Sequence, residues 1–407
     1  MFFSISSNTK FSKTNLQKKL EETRAQKTQD LHASTTVETA RHILHPYVGF
    51  VADPDQNPNI NALGWSGPDP IGQRRAGTIR IILFGGSVAQ QLYETSKDVL
   101  IEKIRSAGGF HDKKIDIYNA SLSGYKQPQQ LEALAYLFSM GAEFDIVINL
   151  DGFNELALPF AENWRNQVAV MYPRGWNFYT KKTINNDALS AMISIDKTRS
   201  KRRHLAEFFH KNPMKNSVIA LILWNFIDAQ HQASEYKNTQ SLRTALTKNT
   251  PSYQTHGPSS YLPNEQYVFE FLASVWYNSS VQMGRLSAAN HALYLHFLQP
   301  NQYVPHSKRF TNQEQTYALT EAEPGREDQS RLVNDTLYKQ AVIQGYPLLQ
   351  TKGGQLTSQN ISFHDLTQIY LHTSDSIYTD TCCHVNQMGN NIMISEIARI
   401  IHGEYAP

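Results

Sequence analysis

Four short segments of this chain carry side chains able to do acyl chemistry. Phe84-Gly85-Gly86-Ser87-Val88 places a hydroxyl directly after an apolar run. A serine at the carboxyl edge of a parallel strand, just before a helix, sits where open α/β sheets place ligands. Amides at such a helix start can stabilise an oxyanion. Asn119-Ala120-Ser121-Leu122-Ser123-Gly124-Tyr125 offers the backbone N–H of Gly124 as a donor. Asp151-Gly152-Phe153-Asn154-Glu155 offers the side-chain amide of Asn154, a donor suited to charge that develops in a transition state. Tyr378 to Asn386 contains Asp380 and His384. A serine hydroxyl is a weak nucleophile until a base takes its proton, and that base is usually oriented by a carboxylate. Asp380 and His384 supply the pair if their loop folds back. Singly, each segment has an ordinary reading: a tight turn with a capping serine, a turn glycine, a turn-forming Asn, a capping or core His. A phosphate cradle is not among the readings, because neither GxxxxGK[ST] nor GxGxxG occurs.

The periodicity says what must position these residues. Ile79 to Phe84 (IRIILF), Lys114 to Ala120 (KIDIYNA) and Phe144 to Leu150 (FDIVINL) are short apolar runs that suit buried parallel strands. Between them, Val88 to about Ser106 and Gln127 to Met140 suit helices, the second stopped by Gly141. Strand, helix, strand, helix, strand at this spacing predicts βαβ units and a parallel sheet. The alternation resumes with a helix over Tyr267 to Ala289, a fourth strand over Ala292 to Phe297 and a short strand over Ser376 to Thr379. Asn386 to His402 suits a terminal helix with Ile394, Ile397, Ala398 and Ile401 as its inner stripe. Three candidate segments thus fall at the carboxyl ends of successive strands, and the Asp/His segment at the end of the last.

In their order and placement, the four segments resemble the blocks of the SGNH hydrolases, the GDSL-type lipases and esterases. The Ser block is Gly85-Gly86-Ser87, the Gly block Asn119 to Gly124, the Asn block Gly152-Phe153-Asn154-Glu155 and the His block Asp380 to His384. The likeness covers about 79–157 and 267–402. His45 to Phe50 and Asn61 to Gly67 also look like the lead-in loop of bacterial SGNH proteins tied to surface polysaccharide modification. The family usually has Asp three residues before His, where this chain has Thr381, with Asp380 one residue further back. Either a bulge brings Asp380 round, or Ser87 and His384 act as a dyad oriented by a backbone carbonyl.

The resemblance implies a three-layer α/β/α sandwich on a short parallel sheet of about five strands. It implies Ser87 as nucleophile, His384 as base then acid, and Asp380 as orienting carboxylate. The oxyanion hole would be the N–H of Ser87, the N–H of Gly124 and the side chain of Asn154. The expected substrate is an acyl ester, acetyl first among acyl groups, of a carbohydrate or small molecule. Two alternatives stand beside hydrolysis: O-acyl transfer to a sugar hydroxyl through the same nucleophile, and a catalytically silent glycan-binding or assembly protein on this fold. The chemistry needs no cofactor and no metal.

Composition narrows the classes. The 407 residues are 40% hydrophobic, 18% charged and carry a net charge of only +2. That balance excludes a nucleic-acid binder relying on net charge and excludes wholesale disorder. No apolar run approaches the roughly 18–20 residues that span a bilayer. Cys382 and Cys383, the only cysteines, are adjacent and are taken as free thiols. No secretory leader is visible, so cytoplasm is the default and export the alternative. The expected organisation is a mobile arm over 1–38, a core over 39–157, an insertion over 158–265 and a second core part over 266–407 with a smaller excursion at about 299–360. The basic run Lys197 to His204 is expected to be a solvated face, and Val218 to Ile227 a buried element or a lid over a pocket. Phe363-His364-Asp365 is expected to lie in a loop, and His291 and His296 are expected to be structural.

Overall fold

The apolar runs form the sheet predicted for them. A computed structural model of the chain describes residues 42–106, 109–180, 186–211, 218–247, 252–258, 262–319 and 329–405. The expected N-terminal arm lies outside these residues. The chain divides into two compact units, one comprising Ala40–Thr180 with Ser252–Pro407, the other Met1–Thr39 with Lys181–Pro251.

The larger unit opens with a two-stranded antiparallel hairpin, β1 (His42–His45) and β2 (Gly49–Ala52), so the expected lead-in loop at His45 to Phe50 is partly strand. Its main sheet comprises β3 (Thr78–Gly85), β4 (Lys114–Asn119), β5 (Ile146–Asp151), β6 (Leu293–Leu298) and β7 (Ser362–Asp365). The five strands pair in the order β4-β3-β5-β6-β7, all parallel. Strand β5 is wholly buried and β3 nearly so, which is why both read as continuous apolar runs. Chain order in the sheet reverses between β3 and β5. In doubly wound sheets, the crevice at such a reversal, outside the carboxyl ends, is the ligand site.

Helices cover both faces. Helix α1 (Ser87–Arg105) packs on α11 (Gln387–Glu404). Helices α2 (Gln129–Ser139), α8 (Glu265–Ala289) and α10 (Gln329–Thr357) pack together, with α3 (Phe153–Leu158) against α8 and α10. Short helices α4 (Trp176–Tyr179), α7 (Tyr253–His256) and α9 (Asn312–Tyr317) fill the connections. The fold is therefore an α/β sandwich on a five-stranded parallel sheet.

Two strand expectations are corrected. Ser376 to Thr379 is not a strand; only Tyr378 bridges, to Val385. The fifth strand is β7, which carries Phe363-His364-Asp365, expected to be loop. An edge strand of this length, half-buried over three residues and exposed at Asp365, has no apolar run to announce it. The excursion at 299–360 also contains α10, whose Ala341, Val342, Tyr346 and Leu349 are buried.

The described part of the smaller unit is a pair of long helices, α5 (Asn186–Lys211) and α6 (Val218–Thr247), packed on each other. The basic run lies on α5, where Arg199 and Arg202 pair with Glu235, and Arg202 also with Asp228, all on α6. Val218 to Ile227 opens α6. Ala220 and Trp224 pack with Phe209, but Ile219, Ile222, Leu223 and Phe226 are exposed. The expectation of a buried element is thus corrected: one face of the run is buried and the other is not.

Candidate active site

Strand β3 ends in a turn that only glycines can make. Gly85 has φ +148°, and a Cβ there would collide with the Leu150 carbonyl of β5. A Cβ on Gly86 would collide with Asn154 Nδ2. The chain leaves this turn at Ser87, the first residue of α1, where the helix amides have no intrahelical partner. The Ser87 side chain therefore stands at the carboxyl edge of the sheet, beside the order reversal.

The loop after β4 packs against this turn. Leu122 N–H donates to Gly85 O (3.3 Å) and Ser123 N–H to Gln90 Oε1 on α1 (2.8 Å). Gly124 takes φ +82°, a region glycine enters without strain. Tyr125 is buried, its hydroxyl donating to Phe50 O (2.7 Å). Its carbonyl accepts from Asn154 Nδ2 (2.8 Å), which fixes the Asn154 amide against Gly86 and leaves that nitrogen a second N–H. Glu155 turns inward and caps its own helix, accepting from Gly152 N–H (2.7 Å).

His384 arrives on the loop before α11. His384 Nε2 lies 2.8 Å from Ser87 Oγ, and His384 Nδ1 lies 2.5 Å from Asp380 Oδ2. Asp380 reaches the ring from four residues away because the loop winds round its carboxylate. Asp380 Oδ1 accepts the N–H groups of Cys382 (2.9 Å), Cys383 (3.1 Å) and His384 (3.2 Å). Thr381 points elsewhere, its hydroxyl donating to Asp335 Oδ2 (2.9 Å). Of the two sequence alternatives, the structure has the wound loop.

The electrostatics follow from this geometry. Burial alone would lower the His384 pKa, but the Asp380 charge and hydrogen bond outweigh it and raise it to about 9. Burial would raise Asp380, but His384 and the loop amides hold it at about 2. Both side chains keep some contact with solvent, 21% for His384 and 31% for Asp380. The site is thus a largely buried hydroxyl, a ring placed to take its proton, and a carboxylate holding that ring.

Several positioning residues left no mark in the sequence reading. Three consecutive side chains beyond β6 tie down the carbonyls of the His384 loop. Asn301 Nδ2 donates to Cys382 O (3.0 Å), Gln302 Nε2 to Asp380 O (2.9 Å) and Tyr303 OH to Thr381 O (2.9 Å). Buried Glu314, paired with buried Lys308 at 2.9 Å, accepts the N–H groups of Ile377 (2.8 Å) and Tyr378 (3.1 Å). The available signal was position: Asn301, Gln302 and Tyr303 directly follow a strand end at the ligand edge. Cys382, Cys383 and His384 also form a cluster of the kind that can hold a metal ion, with all three ligand atoms within 4.8 Å of one another. His384, however, is engaged on both ring nitrogens by Ser87 and Asp380. Among the described residues no helix is long and apolar enough to cross a membrane.

No protein-family model and no curated protein matches the chain. Among solved structures it is similar to a GDSL-like lipase from Bacteroides thetaiotaomicron, with 11% identity and a TM-score of 0.35 over 80% of this chain and 89% of the other.

Proposed function

We propose that this chain is a serine hydrolase of the SGNH type that cleaves acyl esters, acetyl first among them, of a carbohydrate or small molecule. The observation that carries the reading is the hydrogen-bonded line Ser87–His384–Asp380, with Gly124 and Asn154 gathered beside the serine. Ser87 Oγ attacks the ester carbonyl while His384 Nε2 takes its proton. Asp380 holds the ring through Nδ1 and stabilises the imidazolium that forms. The carbonyl oxygen becomes an oxyanion, met by the N–H of Ser87, the N–H of Gly124 and the free N–H of Asn154. His384 then protonates the leaving alcohol, and a water activated by His384 releases the acid.

A fluorophosphonate probe tests the reading. Wild type should label and Ser87→Ala should not. Folded wild type that fails to label overturns it.

A further inference from the structure

We propose that Arg174 selects esters that carry a carboxylate close to the scissile bond. The proposal rests on the reading of Ser87 as nucleophile and names a substrate class for that site. Arg174 lies in Pro173-Arg174-Gly175, and its stem covers Gly124: a Cβ on that glycine would come within 2.9 Å of Arg174 Cδ. Its partner Glu162 accepts from Tyr338 of α10, one turn from Asp335, which accepts from Thr381 of the His384 loop. The guanidinium therefore stands near both the Gly124 loop and the His384 loop.

Its orientation is built rather than incidental. Arg174 Nε and Nη2 donate to Glu162 Oε2 (2.8 Å) and Oε1 (2.9 Å), and Tyr338 OH donates to Glu162 Oε1 (2.6 Å). Glu162 sits in the turn Pro159–Asn163, directly after the helix that carries Asn154. The loop bearing Arg174 is fastened from beneath by two buried side chains. Lys126 Nζ donates to Val170 O (2.7 Å), and Asn163 Nδ2 donates to Ala169 O (3.0 Å) and Tyr172 O (2.9 Å). Burying a lysine is costly unless its partner is held in place.

Glu162 occupies one edge of the fork. Nη1 has no partner among the described residues, and the side chain is 44% exposed. A planar fork with free N–H groups matches a carboxylate, and the charge-assisted contact is the strong kind. An uncharged ester gains nothing from it.

The test uses matched esters with the charge on either side of the bond. The half-ester 4-nitrophenyl succinate is compared with 4-nitrophenyl methyl succinate, and 3-acetoxybenzoate with its methyl ester. Wild type should prefer the charged member of at least one pair by roughly 10- to 100-fold in kcat/KM, carried by KM. Arg174→Met, which keeps an apolar stem over Gly124, should bring that ratio close to one, and Arg174→Lys should leave part of it. No preference in either pair, or an equal loss on both members, overturns the proposal. If wild type turns over no ester, the hydrolase reading falls. Equilibrium binding of the same pairs to Ser87→Ala then decides Arg174 by itself. Tighter binding of a charged ester, lost with Arg174→Met, supports it, and equal binding overturns it.

Discussion

The molecule contains two lines of serine, histidine and aspartate, and they differ instructively. Ser87, His384 and Asp380 stand at the carboxyl edge of the sheet. Ser280, His296 and Asp151 lie deep inside it. Ser280 Oγ is 2.7 Å from His296 Nδ1, and His296 Nε2 is 2.9 Å from Asp151 Oδ1. The distances match those of the outer line, but the ring is used the other way round. Ser280 and His296 are wholly buried and Asp151 is 1% exposed. Asp151 is further occupied by Trp276 Nε1 (2.7 Å) and Asn149 Nδ2 (2.8 Å). The inner line is a polar rivet joining β5, β6 and α8, satisfied because an unpaired buried group would be costly. Residue types and hydrogen bonds alone therefore do not make a candidate site. What distinguishes the outer line is solvent contact at His384 and Asp380 and the Asn154 amide held beside Gly86.

Mutation of both lines sharpens that contrast. The largest expected effect is at Ser87: Ser87→Ala or His384→Ala should lower ester turnover by about 10⁴-fold or more, measured with purified, folded protein. Turnover close to wild type in both variants would sink the mechanism. Asp380→Asn comes next, at about 10²- to 10⁴-fold, because the ring loses its holder and its charge partner. Asn154→Ala should follow at about 10²- to 10³-fold in kcat. The smallest catalytic effect belongs to the inner line. Ser280→Ala should leave turnover within about threefold and cost about 1–3 kcal/mol in urea unfolding, through the unpaired His296 nitrogen. A catalytic loss at Ser280 as large as that at Ser87 would erase the distinction.

The pH profile tests the outer line separately. His384 works as a base only when neutral. With its pKa raised to about 9, kcat/KM should climb through neutral pH and level off only above about 9. Asp380→Asn removes the charge that holds the proton, so the limb should move to lower pH, while the plateau falls. A limb that stays put in Asp380→Asn would show that Asp380 does not govern His384.

The legible parts of this fold are the ones whose burial is continuous. Strands β3 and β5 lie in the interior of the sheet, so their apolar runs and the glycines after them are visible in one dimension; β4 is an edge strand, legible because its last three residues are buried too. Three of the candidate segments follow from the same logic, because strand ends can be located once strands are; the Asp380 to His384 segment follows no strand, only the isolated bridge between Tyr378 and Val385. Strand β7 was missed because a half-buried edge strand has no distinctive pattern. The clamp by Asn301, Gln302 and Tyr303 was missed because polar residues between elements look like any loop. Ser280, His296 and Asp151 are scattered over helix and strand with no spacing that links them.

The sequence by itself determined strands β3 to β6, the helices α1, α2, α8 and α11 beside them, and the turns at Gly85-Gly86 and Gly152, since local sterics and the period of burial act between near neighbours. Only the tertiary structure decided which histidine meets which serine. It brings residue 384 to residue 87 across the sheet edge, winds the loop about Asp380 so that a one-residue offset is absorbed, and buries the second line. The contact of Ser87 with His384 spans 297 positions and that of Asp151 with His296 spans 145, and no local propensity encodes them.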